Sequence, residues 1–163
     1  MEDKSQFAGF WKRVGAYLID VVILSIAMVA VTMAIVAFCM LVLKQDKEAL
    51  GGVTLILYAV TLLGQLLYFS LFECSSKQAT PGKMALGIVV TDMKGGRIGL
   101  GRALGRNCAQ LISGMFFGLG YIICGFTDMR QAAHDLIAST LVVNKDAALR
   151  LGVKDEMQIM QSP

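Results

Sequence analysis

Residues 11–43 read WKRVGAYLIDVVILSIAMVAVTMAIVAFCMLVL, and this stretch decides the fold of the chain. From Val14 to Leu43 every side chain is apolar, small or hydroxyl-bearing except that of Asp20. Because about 20 such residues are enough to cross the hydrocarbon core of a bilayer as a helix, the stretch predicts a transmembrane helix. Residues 11–13 precede the span with the aromatic and basic mixture that favours a membrane interface.

Asp20 is the one charged residue inside this predicted span, and two interpretations are open for it. A carboxylate at the centre of a span costs roughly 2.5 kcal/mol or more on insertion scales, but Asp20 lies only about 9 Å along a helix that enters near Val14. In the first interpretation, Asp20 is a wetted interfacial residue, partnered by Arg13 about two turns away on the same helix face. In the second, Asp20 belongs to a buried ion or proton site with partners from elsewhere in the chain.

A second uncharged run, Gly51 to Phe72, matches one more span with slight tilt. Residues 73–106 that follow it are polar, rich in glycine, and carry a concentration of basic side chains: Lys77, Lys83, Lys94, Arg97, Arg102 and Arg106. By the positive-inside rule this loop is cytoplasmic. The basic residues before the first span outnumber those between the two spans, which places the N-terminus on the same side.

A third apolar segment, Asn107 to Phe126, is shorter and interrupted by glycines. Either it spans the membrane, or it is re-entrant and bends at residues 118–120 where protein shields the backbone. Pairing of residues 141–143 with residues 88–90 would require the re-entrant form. We favour three crossings because glycine is common in membrane helices.

The polar loop contains a β-hairpin signal. Ile88 to Asp92 is a short β-branched run, residues 93–96 are typical of a hairpin turn, and Arg97 to Leu100 is the predicted returning strand. Thr140 to Asn144 is a second short β-like run. The predicted fold class is an all-α membrane protein, a small bundle of about three transmembrane helices with a short cytoplasmic β-hairpin. The membrane domain covers residues 7–145, and residues 146–163 form a polar tail.

Composition excludes several function classes. A net charge of +3 without a basic cluster interleaved with aromatics does not favour nucleic-acid binding. The four cysteines are scattered without the spacing of a zinc site or a redox pair, so no cofactor or metal is predicted. The single histidine, His134, has no serine or cysteine nucleophile at a recognisable motif, and an enzyme is therefore not expected.

Three segments together resemble the RDD family of small integral membrane proteins, named for one arginine and two aspartates. The segments are FWKRVGAYLIDVVIL from Phe10, QATPGKMALGIVVTD from Gln78 and QAAHDLIASTLVVN from Gln131. The resemblance covers about residues 7–145.

The resemblance implies that the family arginine is Arg13 and that the aspartates are Asp20 and Asp135, with Asp128 as the alternative for the second. It also implies monovalent cation/proton exchange, which has been proposed for the family. The ion- or proton-linked residues are then Arg13, Asp20, His134 and Asp135. We expect the short helix around His134 to dock beside the first span, and His134 to titrate near neutral pH.

Three short spans form too small a bundle for a water-lined path, so an exchanger in the cytoplasmic (inner) membrane would need a homo-oligomer or a membrane protein partner. The alternative hypothesis is a non-enzymatic membrane scaffold or accessory subunit that binds lipid or a partner protein through the basic loop.

Overall fold

The computed structural model describes residues 4–42, 47–115, 123–125 and 127–150. Two long helices dominate it: α1 spans Phe10–Val42 and α2 spans Lys47–Cys74. Within them, Phe10–Cys39 and Gly51–Cys74 are long and apolar enough to cross a membrane. Their large apolar side chains, such as Ile26 and Leu55, are mostly exposed, as expected for helices whose surroundings are lipid. The first two predicted spans therefore match the structure.

Shorter elements gather where α1 begins and α2 ends. They are α3 (Pro81–Ala85), β1 (Ile88–Asp92), α4 (Leu100–Met115), α5 (Ala133–Ala138) and β2 (Thr140–Asn144), with single 3-10 turns at Lys4–Gln6 and Ile123–Gly125. Residues 145–150 are helical. Helix α3 packs against α1, and α4 packs against both α2 and α5. The start of α1 and the end of α2 are thereby joined to one set of shorter elements.

Strand β1 pairs with β2 in antiparallel register, with Val89 opposite Val143 and Val90 opposite Val142. Phe7 forms a further bridge to Val143. Side chains of successive strand residues point to opposite faces, and both faces are buried: Val90 and Val142 belong to one apolar cluster, Val89 and Val143 to another.

The predicted hairpin is only half correct. Its turn forms, since the Asp92 carboxylate accepts from the Lys94 amide at 2.9 Å and the Gly96 amide at 2.7 Å. Its returning strand does not, because the chain leaves the turn without pairing and α4 begins at Leu100. A strand buried on both faces needs a partner that is apolar on both faces. The segment LVV at 141–143 is such a partner, whereas the segment RIGL at 97–100 contains an arginine and a glycine.

The strand pairing also corrects the expectation of three crossings. Hydrogen-bonded strands lie on one side of a bilayer, so residues 88–92 and 140–144 share a side. The chain between them therefore crosses the membrane an even number of times, which agrees with the re-entrant alternative. The expected bend at residues 118–120 lies outside the described residues.

Candidate functional site

Six charged side chains meet where α1 begins and α2 ends, and we call them the charge network. Arg13 and Asp20 come from α1 and Glu73 from the last turn of α2. Helices α3, α4 and α5 contribute Lys83, Arg106 and Asp135 respectively. Five of the six side chains are buried, and that of Lys83 is 11% exposed. Since buried charges are stable only when paired and hydrogen-bonded, the partner of each one matters.

Arg13 holds three separate segments together. Its Nε donates to the Ala8 carbonyl oxygen at 3.1 Å, and its Nη2 donates to the Arg130 carbonyl oxygen at 2.7 Å. Its Nη1 forms an ion pair with Asp135 Oδ2. A guanidinium group suits this role because its planar fork presents five donors in fixed directions. Arg13 therefore fixes α5 against the start of the first span.

Asp135 lies between two guanidinium groups. Its Oδ2 pairs with Arg13 and also accepts from the Ala132 amide at 3.2 Å, which caps α5. Its Oδ1 accepts from Arg106 Nε at 2.9 Å. Burial alone would raise the pKa of Asp135, but Arg106 and Arg13 outweigh burial and hold that pKa well below its usual range. Asp135 is therefore a carboxylate throughout the physiological pH range.

Arg106 connects Asp135 to a second buried carboxylate, Glu73. Arg106 Nη1 lies 2.5 Å from Glu73 Oε1. Burial opposes the charge of Arg106, but Glu73 and Asp135 together raise its pKa. Glu73 also pairs with Lys83, and its Oε2 accepts from Asn107 Nδ2 at 3.0 Å. Arg13, Asp135, Arg106, Glu73 and Lys83 thus form a continuous chain of alternating charge.

Asp20 is bound differently, by uncharged donors. Its Oδ2 accepts from Thr80 Oγ1 at 2.5 Å, and its Oδ1 accepts from the Gly82 amide at 2.8 Å and from the Tyr68 hydroxyl at 3.1 Å. The turn that supplies Thr80 and Gly82 lies directly against α1. A Cβ at Gly82 would be 2.2 Å from the Ala16 carbonyl oxygen, so only glycine fits there.

A small cavity of about 20 Å³ lies among these residues, and Arg13, Asp20, Lys83, Arg106 and His134 line it. This is room for a single water molecule. The cavity brings Asp20 close to the alternating chain, although no hydrogen bond or ion pair among the described residues joins Asp20 to Arg13 directly.

The structure gathers the four residues singled out in the sequence. The helix carrying His134 and Asp135 docks beside α1 as expected, and Asp135 rather than the exposed Asp128 pairs with Arg13. The expectation that His134 titrates near neutral pH is wrong, because its pKa is lowered in the fold. Burial, together with Arg106, Arg13 and Lys83, outweighs Asp135 and lowers the pKa of His134 to about 3. It is therefore neutral near pH 7.

Sequence reasoning missed much of the site: Tyr68, Glu73, Thr80, Gly82, Lys83, Arg106 and Asn107. Arg106 and Lys83 belong to the basic loop that the positive-inside rule places in the cytoplasm, and that rule predicts no buried partner for either side chain. A signal was nevertheless present, because Glu73 and Arg106 each directly flank an apolar run. Among the described residues, no group of three or more His, Cys, Asp or Glu side chains could hold a metal ion.

The fold and the network define a small, mainly helical membrane protein with buried ion pairs at one end of its spans. The chain belongs to the RDD family, whose pattern matches residues 7–139. It is 32% identical to the uncharacterized protein YxaI of Bacillus subtilis (strain 168), with 85% of this chain and 97% of the relative covered. It is 30% identical to the uncharacterized membrane protein YteJ of the same organism, with 85% and 82% covered. No solved structure matches.

Proposed function

We propose that this RDD-family membrane protein exchanges a monovalent cation for a proton, with Asp20 as the carboxylate that binds the transported ion. One observation carries the proposal: of the three carboxylates in the charge network, Asp20 alone has only uncharged partners. Glu73 and Asp135 are each held by two cationic side chains.

The chemistry of the partners explains why this difference matters. The side chains of lysine and arginine have donors but no acceptor atom. They therefore cannot act as ligands to a metal cation that binds the same carboxylate. A hydroxyl group both donates and accepts, so Thr80 and Tyr68 can turn from donating to Asp20 to offering an oxygen to a cation beside it. A proton and a cation neutralise the same single charge. Asp20 therefore binds one or the other, which is the basis of exchange.

We place the network end of α1 and α2 on the cytoplasmic side of the inner membrane. This placement rests on the exposed basic side chains found around that end: Lys12, Lys77, Lys94, Arg97 and Arg102. We further propose that a second copy of the chain, or a membrane protein partner, completes the transport path. Two spans alone leave most of their apolar side chains exposed and enclose no continuous channel among the described residues.

A scaffold or accessory-subunit role is the second candidate, and the charge balance favours it. With Asp20 ionised, its charge and those of Glu73 and Asp135 balance the charges of Arg13, Lys83 and Arg106. A balanced, hydrogen-bonded network is what a purely structural cluster requires.

The two candidates are separated by reconstituting the purified protein in liposomes that contain a pH-sensitive dye. Addition of Na⁺, Li⁺ or K⁺ should change the lumenal pH. Asp20→Asn should abolish this response while the protein still inserts and keeps its folded yield. Asp146→Asn is the matched control, because Asp146 is an exposed carboxylate outside the network. Full ion-driven proton flux in well-folded Asp20→Asn would exclude Asp20 from transport. If the wild-type protein shows no ion-driven proton flux, the scaffold role is favoured.

A further inference from the structure

A second cavity, of about 90 Å³, lies beside the one at Asp20, between α1, α2 and α4. The two cavities share three lining residues, Tyr17, Phe69 and Gln110. The larger cavity adds Gln65 and Leu66 from α2, and Asn107 and Leu111 from α4. We call the larger cavity the vestibule.

The vestibule extends from the charge network into the membrane span. At 1.5 Å per residue, Gln65 lies about 12 Å before Glu73 along α2. Leu111 lies about 7.5 Å beyond Arg106 along α4. On α2 and α4 the vestibule therefore extends away from Glu73 and Arg106, toward the middle of the span. Tyr17, on α1, precedes Asp20 by one turn and brings the vestibule beside that carboxylate.

The lining of the vestibule suits water. Gln65 and Gln110 bring carboxamide groups to a region where lipid offers no hydrogen-bond partner, and an amide left unpaired there is costly. Each carboxamide can both donate to and accept from water. With more than four times the volume of the cavity at Asp20, the vestibule has space for several waters, or for a partly hydrated monovalent cation.

A pair of stacked rings lies where the vestibule meets the cavity at Asp20, since Tyr17 and Phe69 line both. The centroids of Tyr17 and Phe69 are 6.1 Å apart, with an interplanar angle of 21°. Gln110 lies at the same boundary and reaches both cavities. The oxygen of its carboxamide is an acceptor that a cation in either cavity could use as a ligand.

We propose that the vestibule is a hydrated access route through which water and monovalent cations reach Asp20 from within the span, and that the Tyr17–Phe69 stack is its barrier. The cation part of this inference rests on the proposed exchange function. The water part does not, and it can be tested separately.

Water access is tested by cysteine reactivity in the otherwise native chain, with the modified position identified by peptide mass spectrometry. Leu66→Cys should react with 2-aminoethyl methanethiosulfonate at least about tenfold faster than Leu63→Cys, because the reactive thiolate forms only in water. Leu63 is the matched control on the same helix, since its side chain is 55% exposed on the apolar surface. Leu111→Cys against Ile112→Cys repeats the comparison on α4 if Leu66→Cys does not fold. Equal, slow reaction in both pairs would overturn the vestibule.

The cation route is tested in the liposome assay. Gln110→Leu should weaken the apparent cation affinity about tenfold, as expected when one half-buried polar ligand is lost. Phe69→Ala should increase proton leak by opening the barrier. Unchanged affinity and leak in both folded variants would refute the route and leave the exchange function standing. If Leu66→Cys reacts fast but the wild-type protein shows no exchange, the hydrated vestibule stands and the exchange function is refuted.

Discussion

The backbone amide of Gly82 donates a hydrogen bond of 2.8 Å to Oδ1 of Asp20, a residue 62 positions earlier in the chain. This contact joins the polar loop to the one carboxylate inside the first apolar run. It requires close approach of two backbones, and the lack of a side chain at Gly82 permits that approach. The loop and the span are consequently one structural unit.

Gly82→Ala should destabilise the protein by about 3 kcal/mol or more, because the added Cβ forces the turn away from α1 and breaks hydrogen bonds to Asp20. Thermal unfolding in detergent measures the loss. Gly105→Ala is the control, since Gly105 is an exposed position of α4 with no atom within 4 Å of an added Cβ. It should stabilise α4 by about 0.5–1 kcal/mol. Similar unfolding temperatures for the two variants would contradict this account of the turn.

Arg106→Gln should destabilise the protein by about 3–5 kcal/mol, because it removes one cationic partner from each of two buried carboxylates, Glu73 and Asp135. Folded yield and thermal stability report the effect. Arg102→Gln, on the exposed face of the same helix, should stay within about 0.5 kcal/mol of the wild type. Comparable losses from both substitutions would show that net charge, rather than the network, sets the stability.

His134 should make the protein less stable as the pH falls below about 6.5. The folded protein keeps the imidazole neutral because its pKa is lowered from 6.5 to about 3, whereas the unfolded chain binds the proton. Within that window stability should fall by about 1.4 kcal/mol per pH unit. His134→Gln should remove this dependence between about pH 6.5 and pH 4.5.

The pH experiment is well defined because the chain has one histidine. Unfolding midpoints of the wild type and His134→Gln are compared at each pH. Below about pH 4 both proteins should lose the stability that comes from Asp135, whose pKa is lowered in the fold and whose contribution is present only above the pKa of the unfolded chain. Parallel pH profiles above pH 4.5 would mean that His134 is not kept neutral by the fold.

Cysteines at Lys94 and Lys145 should both be labelled from the same side of the membrane, because β1 and β2 pair directly. Both side chains are exposed, so their replacement disturbs no buried contact. A membrane-impermeant maleimide applied to right-side-out and inside-out vesicles gives the side. Lys44→Cys, which lies between α1 and α2 in the sequence, should report the opposite side. Labelling of Lys94→Cys and Lys145→Cys from different sides would restore the three-crossing topology.

The sequence alone determined the two long helices, since lipid leaves an apolar run of that length no other way to satisfy its backbone. It also determined the short strands at Ile88–Asp92 and Thr140–Asn144, whose bounds agree with the structure. These features depend on the local order of residues. The sequence also singles out Asp20 and Arg13, and the family resemblance adds Asp135.

Only the tertiary structure decided which of these elements meet. The hairpin turn favoured Arg97 to Leu100 as the partner of β1, yet burial on both faces selected β2, which lies far along the chain. Glu73 and Arg106 each flank an apolar run in the sequence, and only folding places their side chains together. A buried charge is stable only beside a compensating one, and that pairing depends on packing between distant segments, which no local pattern specifies.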